Sequence, residues 1–299
     1  MCGILEVQAI YSFMKVGGIG VTRTNKELAS YSEQMGSMWG LEDWLLSALT
    51  AKQKEEYHSR YERVEGLRYE SKDVLFNTVL DHSYPASLKN LLKMSTPPVL
   101  SMIGNVSLLR NKKIGFSGSR KVSEKGIAIT KDCVDQLSQI PRVSIVSGYA
   151  QGVDKEAHYT ALNSGGSTII VLPNGIKAFY VRKELRDVWD WSRVLVISEY
   201  LPEDTWTVNR AMNRNNTIIG LSDAMVVVEA GLAGGSFDAG NKTLQDCKPL
   251  FVPRYTEYPT SALGNPLLLE RGAHSIGLSR HTNRANMKPF DFVLWQNKT

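Results

Sequence analysis

Lys113-Ile114-Gly115-Phe116-Ser117-Gly118-Ser119-Arg120 sets an apolar run of strand length directly against a glycine turn and an arginine. The arrangement returns at Val143-Ser144-Ile145-Val146-Ser147-Gly148. Each run leads into a stretch of helix length, about Ser123 to Ser138 after the first and about Val153 to Asn163 after the second. Further apolar runs follow at Thr168-Ile169-Ile170-Val171-Leu172, Val194-Leu195-Val196-Ile197-Ser198, Ala224-Met225-Val226-Val227-Val228-Glu229 and Leu250-Phe251-Val252-Pro253. Runs this apolar, joined by helix-length connections, are what strands buried on both faces of a parallel sheet require. The fold class expected from residue 112 onward is therefore α/β, a doubly wound and mostly parallel sheet.

Ahead of that region the pattern changes. Ile4, Val7, Ile10, Tyr11 and Met14 recur at helical spacing before Val16-Gly17-Gly18-Ile19-Gly20. Thr24-Asn25-Lys26-Glu27 has the form of a capping box for a second helix, with Gly36 as its stop. Leu41 to Leu46 opens another helix, and Thr50-Ala51-Lys52-Gln53 caps a charged run reaching about Leu67. Residues 1–80 thus read as a small all-helical domain. Residues 81–280 read as the sheet domain, entered through a linker from Asp81 to Asn111 with rigid breaks at Tyr84-Pro85 and Pro97-Pro98. Residues 281–299 read as a tail, an ordered strand or a loose end.

Composition narrows the class. With 42% hydrophobic and 22% charged residues in 299, the chain is an ordinary globular one rather than disordered or collagen-like. It has no apolar stretch near the roughly 20 residues that a bilayer demands and no basic leader. Its three cysteines, Cys2, Cys133 and Cys247, stand apart without metal-ligand spacing. A cytoplasmic protein with no metal and no cofactor is expected. The net charge of +5 is uneven: residues 1–80 hold 9 Lys/Arg against 11 Asp/Glu, residues 81–299 hold 26 against 19. The sheet region alone is suited to an anionic partner such as nucleic acid or a nucleotide.

In an open parallel sheet, ligands lie outside the carboxyl ends of the strands, where helix N-termini offer free amides. Three glycine-rich turns fall there: Gly118-Ser119-Arg120, Ser147-Gly148-Tyr149-Ala150-Gln151-Gly152-Val153-Asp154, and Gly234-Gly235-Ser236. Glycine lets a phosphate approach the backbone, serine and main-chain amides donate to it, and arginine grips it with a fork of donors. Arg214-Asn215-Asn216 adds a cation and carboxamides able to reach a sugar-phosphate chain or a base edge. Asp154 and His158 share a helix face and invite a metal or acid/base reading; with no third ligand, a cap and a packed histidine fit better. The turn at Val16 to Gly20 is similar to the glycine hairpin of helix-hairpin-helix motifs, although the acidic balance of its module favours a plain turn.

These residues, in order, resemble the DprA/Smf (DNA-processing protein A) family: Tyr84-Pro85-Ala86-Ser87-Leu88, Pro97-Pro98-Val99-Leu100, Gly104-Asn105, the three turns above with Ala157-His158, Arg214-Asn215-Asn216 with Gly220-Leu221-Ser222, and Gly264-Asn265 with Gly272-Ala273. The resemblance runs from about residue 80 to 276, and the helical module before it is similar to that family's sterile-alpha-like domain. It implies an extended Rossmann-like domain that binds single-stranded DNA without catalysis, forms a homodimer, touches no membrane, and hands the strand to the RecA recombinase in DNA uptake, recombination or genome defence. Carried onto this sequence, the binding residues are Gly118, Ser119, Arg120, Lys121, Gly148, Gly152, Arg210, Arg214, Asn215, Gly235 and Ser236. Tyr149, Tyr180 and Trp206 are candidates for stacking on bases.

The chain departs from the family in three places. Asn216 stands where Arg-Asn-Arg is common, Gly234-Gly235-Ser236 where Ser-Gly-Ser is common, and residues 277–299 are too few for the winged helix many members carry. A divergent member is expected, and the missing cation bears on RecA loading. The alternative is a nucleotide-binding or nucleotide-hydrolysing protein like the lysine-decarboxylase-like phosphoribohydrolases, with Glu229 beside Gly234-Gly235 as its acid. A plain interaction scaffold is the third reading. Nothing suggests an ATPase: the Gly-x-x-x-x-Gly-Lys-Ser/Thr loop is absent.

Overall fold

A computed structural model describes residues 3–34, 40–61, 63–278 and 284–295. Gly36, Cys2, residues 279–280 and the stretches 281–283 and 296–299 of the expected tail lie outside the described residues. The chain divides into two compact units, one of Met1–Ile103, Asn174–Phe179 and Ile197–Trp206, the other of Gly104–Pro173, Tyr180–Val196 and Thr207–Thr299.

The first unit opens with helices α1 (Ile4–Lys15), α2 (Val21–Glu33), α3 (Leu41–Ser47) and α4 (Ala51–Ser59). Val7, Ile10, Tyr11 and Phe13 of α1 meet Leu28, Leu45 and Tyr57 in its core. The capping box at Thr50 forms, Thr50 Oγ1 accepting from Gln53 N–H. The one expected at Thr24 does not: α2 starts at Val21 behind Gly20, and Thr24 Oγ1 donates back to Gly20 O at 3.0 Å from inside the helix. A hydroxyl one turn in finds the carbonyl four residues back before it finds an amide. The charged run after Thr50 stops at Ser59, short of Leu67. At the Val16–Gly20 turn, Gly17 N–H donates to Glu56 Oε2 at 3.1 Å, so a carboxylate already holds that amide and the plain turn stands.

Short strands complete this unit: a ribbon of β1 (Arg68–Tyr69) and β2 (Lys72–Asp73), and β3 (Leu75–Thr78) antiparallel to β4 (Val99–Gly104), with Phe76 opposite Ser101. Helix α5 (Ala86–Leu92) lies between β3 and β4. The segment expected as a linker is therefore regular structure, and Asn25 Nδ2 ties it to α2 through Met94 O (3.0 Å) and Thr96 O (2.6 Å).

The second unit follows the expected alternation closely: β5 (Lys112–Ser117), α6 (Glu124–Ser138), β6 (Val143–Ser147), α7 (Val153–Asn163), β7 (Ser167–Val171), β8 (Val194–Ser198, its last two residues in the first unit), α8 (Val208–Leu221), β9 (Ala224–Val227), α9 (Gly235–Gln245), β10 (Leu250–Pro253), α10 (Asn265–Glu270), β11 (His274–Ile276) and α11 (Asp291–Leu294). The strand order is β11-β10-β9-β5-β6-β7-β8. β5 pairs in parallel with both β6 and β9, so the order reverses at β5 and the crevice of a doubly wound sheet opens between the loops after β5 and β9. Side chains cap the starts of α6 and α8: Ser123 Oγ accepts from Gly126 N–H at 3.1 Å, and Thr207 Oγ1 from Arg210 N–H at 3.1 Å. Part of the expected tail joins the core. Phe290 is fully buried and its ring stacks on Phe251 with centroids 3.8 Å apart.

At the amino edge of the sheet, Lys248 Nζ donates to Ile219 O (2.6 Å), Gly220 O (3.3 Å) and Ser222 O (2.6 Å), closing the C-terminus of α8. Burial pulls its pKa down to about 8. Lys248→Met leaves those carbonyls without their donor. It is expected to cost about 2 kcal/mol, read as a fall in Tm of roughly 4–8 °C.

Candidate nucleic-acid interface

The loops after β5, β6 and β9 are knitted into one rim by main-chain contacts. Ser119 N–H, after β5, donates to Glu229 O after β9 at 2.8 Å, and Val153 N–H donates to Ser119 O at 3.4 Å. Gly152 caps α7 at φ 79° and ψ −127°, and a Cβ there would run into Ser119 O and lie 2.9 Å from Arg120 Cα. Glycine is required twice over, by the dihedrals and by the approach of the neighbouring loop. At the other end of the same turn, a Cβ on Gly148 would collide with the Arg214 guanidinium. The backbone of Arg120 and the guanidinium of Arg214 thus sit against opposite ends of the one stretch Gly148–Gly152.

The candidate residues divide by accessibility. Arg120 and Lys121 are exposed, and Lys121 N–H is tied to Ser119 Oγ at 3.0 Å. Arg210 and Ser236 are half-buried in the first turns of α8 and α9. Asn215 Nδ2 donates to Gly235 O at 3.3 Å, which joins α8 to the turn after β9. Gly118 faces Val153. Arg214 is only 6% exposed: its charge lies beneath the Gly148 turn rather than on the surface.

Two residues outside the expected binding set hold this rim. Arg182 Nη1 donates to Ala150 O at 3.2 Å, Nη2 donates to Tyr149 O, and the guanidinium lies 4.3 Å over the Tyr149 ring. One face of Tyr149 is therefore taken, whereas Tyr180 is 62% exposed. Arg182 lies in no motif and carries no signal in the sequence. Glu229 is the second: it is fully buried, and its carboxyl oxygens accept from Ser123 N–H (2.9 Å), Ser123 Oγ, Ser261 Oγ (2.6 Å) and Tyr255 Oη (3.4 Å). Burial and the adjacent Glu229 push the Tyr255 phenol above its ordinary range, keeping its proton available to donate. An acid occupied by four donors of its own chain leaves no oxygen for a substrate, so the hydrolase role considered for Glu229 finds no support in this geometry.

The plain reading of Asp154 and His158 also holds. Asp154 Oδ2 accepts from Ala150 N–H at 3.2 Å, and fully buried His158 bridges Thr168 Oγ1 (2.7 Å) and Gly148 O (2.5 Å). Desolvation brings the His158 pKa down to about 4. Among the described residues there is no group of three or more His, Cys, Asp or Glu able to hold a metal, and no helix long and apolar enough to cross a membrane.

Residues 75–284 match the family described as DNA recombination-mediator protein A. The chain belongs to that family. Its sequence is 32% identical over 177 residues to the DNA processing protein DprA of Streptococcus pneumoniae, an alignment covering 58% of this chain and 61% of the relative. The chain thus matches less than two thirds of that relative's length in sequence. The crystal structure of DNA processing protein A from the same organism superposes with a TM-score of 0.74 at 26% identity, covering 89% of this chain and 93% of the other. The DNA processing protein A of Helicobacter pylori, for which a single-stranded DNA binding mode is described, superposes with a TM-score of 0.58 at 27% identity, covering 69% and 90%. The likeness to these DprA structures matches the extended Rossmann-like fold expected from the sequence.

Proposed function

We propose that this rim binds single-stranded DNA by its sugar-phosphate chain, and that the protein acts by holding the strand rather than by catalysing a reaction on it. The observation that carries the reading is that the loop bearing exposed Arg120 and the guanidinium of Arg214 both meet the single turn Gly148–Gly152, the first through its backbone. The acids near that turn point inward: Asp154 onto the Ala150 amide, Glu229 onto Ser123, Ser261 and Tyr255. Arg120, Lys121 and Arg210 meet phosphates directly, while Arg214 contributes positive charge from below. Ser119, Ser236 and the amides around Gly118, Gly148, Gly152 and Gly235 donate to phosphate oxygens, with Asn215 holding the turn after β9 in place. The Tyr180 ring offers a stacking face, an interaction worth roughly 1–3 kcal/mol per base. The described binding mode of the H. pylori relative supports the same choice of ligand. On this reading the chain works as a homodimer in the cytoplasm and passes its strand to RecA, steps that rest on the family resemblance.

The test is a gel-shift series with single- and double-stranded oligonucleotides. Arg120→Ala is expected to weaken single-strand binding roughly tenfold, since a charge-assisted hydrogen bond is worth about 1.5–3 kcal/mol. Arg120→Ala/Arg214→Ala should remove most of the remaining affinity, and the slope of log K against log salt should flatten by about 0.7 for each phosphate that is no longer neutralised. Undiminished affinity in a folded double variant places the site elsewhere.

A further inference from the structure

The sequence points to Glu229 only as a conceivable acid, and in the structure this residue touches both ends of the loop that carries Arg120 and Lys121. Its main-chain oxygen takes Ser119 N–H, at the start of that loop. Its carboxyl takes Ser123 N–H and Ser123 Oγ, at the end of the loop and the cap of α6. The remaining oxygen capacity is met by Ser261 and Tyr255, from the segment after β10. Gly126 allows this arrangement, because a Cβ there would lie 2.5 Å from Glu229 Oε1. One buried residue thereby fixes both ends of a five-residue loop, Ser119 to Ser123, whose middle carries the two exposed cations.

We propose that Glu229 is a positioning residue for strand binding: by clamping Ser119 and Ser123 it presents Arg120 and Lys121 to the phosphates in one orientation. The proposal rests on the strand-binding reading given above. The chemistry specifies a carboxylate. Ser123 N–H is a fixed donor, and Ser123 Oγ, Ser261 Oγ and Tyr255 Oη converge as donors on the same two oxygens, a demand that an acceptor-only group meets completely. A glutamine of the same length has one acceptor and sets an NH2 against donors on the other side. It loosens the loop while leaving the core filled.

The experiment is a double-mutant cycle between Glu229→Gln and Arg120→Ala, read as single-stranded DNA affinity by fluorescence anisotropy over a salt series, with thermal unfolding in parallel. Glu229→Gln in the wild-type background is expected to weaken binding about fivefold and to lower the salt slope by about 0.7 for each loop cation that loses its phosphate. In the Arg120→Ala background the same change is expected to cost less than about twofold, because the side chain being positioned is gone. Equal losses in both backgrounds, with an unchanged slope, overturn the positioning role and leave Glu229 a purely structural residue. If Arg120→Ala itself leaves affinity intact, the strand-binding reading fails and this proposal falls with it, an outcome distinguishable from the first. Should Glu229→Gln fold poorly, Ser123→Ala removes the hydroxyl half of the same clamp and leaves its main-chain half, and its cycle with Arg120→Ala carries the same direction of effect and the same refutation.

Discussion

Gly152→Ala is expected to destabilise the protein by about 3–5 kcal/mol, the largest single-residue effect anticipated at the rim. Two independent costs add there. The dihedrals, φ 79° and ψ −127°, lie in a region open almost only to glycine, worth roughly 1–3 kcal/mol for another residue. The new methyl group would also meet Ser119 O and the Arg120 backbone, and neither can rotate away as a side-chain end could. Overpacking of this kind costs about 1–3 kcal/mol. Gly165 offers a comparison without the contact, since it too has φ 79°, at the C-terminal turn of α7, with nothing within 4 Å of where a methyl group would stand. Gly165→Ala should therefore show a much smaller fall in Tm, against roughly 10 °C for Gly152→Ala. Equal effects at the two positions in thermal unfolding would mean that the loops after β5 and β6 do not touch as described.

The second large effect is acid sensitivity through His158. Nε2–H donates to Gly148 O, and Nδ1 pairs with the Thr168 hydroxyl, which itself donates to Ile145 O at 3.0 Å. In the fold its pKa falls to about 4, from 6.5, because burial penalises the imidazolium. The unfolded chain therefore takes up a proton at a pH where the folded chain does not. Stability attributable to this residue is complete above pH 6.5 and is lost as pH falls toward 4, by about 3 kcal/mol across that window. Urea titrations at about pH 7, 5.5 and 4.5 should show the decline, and His158→Gln should flatten it while lowering stability at neutral pH. A decline in the opposite direction, with rising pH, would mean that the ring is charged in the fold.

Much of the second unit is legible in the sequence because its strands are buried on both faces. An apolar run such as Ile169-Ile170-Val171 can only be a strand or a core helix, and its flanking turns decide which. Ser123 and Thr50 are readable as caps because the residue that answers each one is three positions away. The first unit is harder to read. Pro97-Pro98 reads as a break within a linker, yet β4 begins directly behind it, because a proline that cannot continue a ladder is still well placed at the start of a strand. In the second unit, β11 is the exception: it has three residues, two of them exposed, and offers no pattern at all. The candidate site shows the same division. Its glycines and arginines stand in short motifs, but Arg182 and Glu229 act across 32 and 106 residues of chain, and Arg214 is buried for reasons set by α8 packing under a distant turn. Contacts of that separation are products of the tertiary fold and leave no local trace.

The close fit at Gly148 and Gly152 has a bearing on how any polyanion would be received. Where a Cβ would have stood, each position is already filled by atoms of a neighbouring segment, so the main chain of the turn has no slack to take up on encounter. The entropy of shaping the socket is spent during folding, and only long flexible side chains at its lip are left to order when a guest arrives. Such a receptor tolerates different guests through its periphery and not through its floor. If the rim receives a strand as proposed, the expected selectivity is for the spacing of charge along a chain rather than for the identity of what that chain carries.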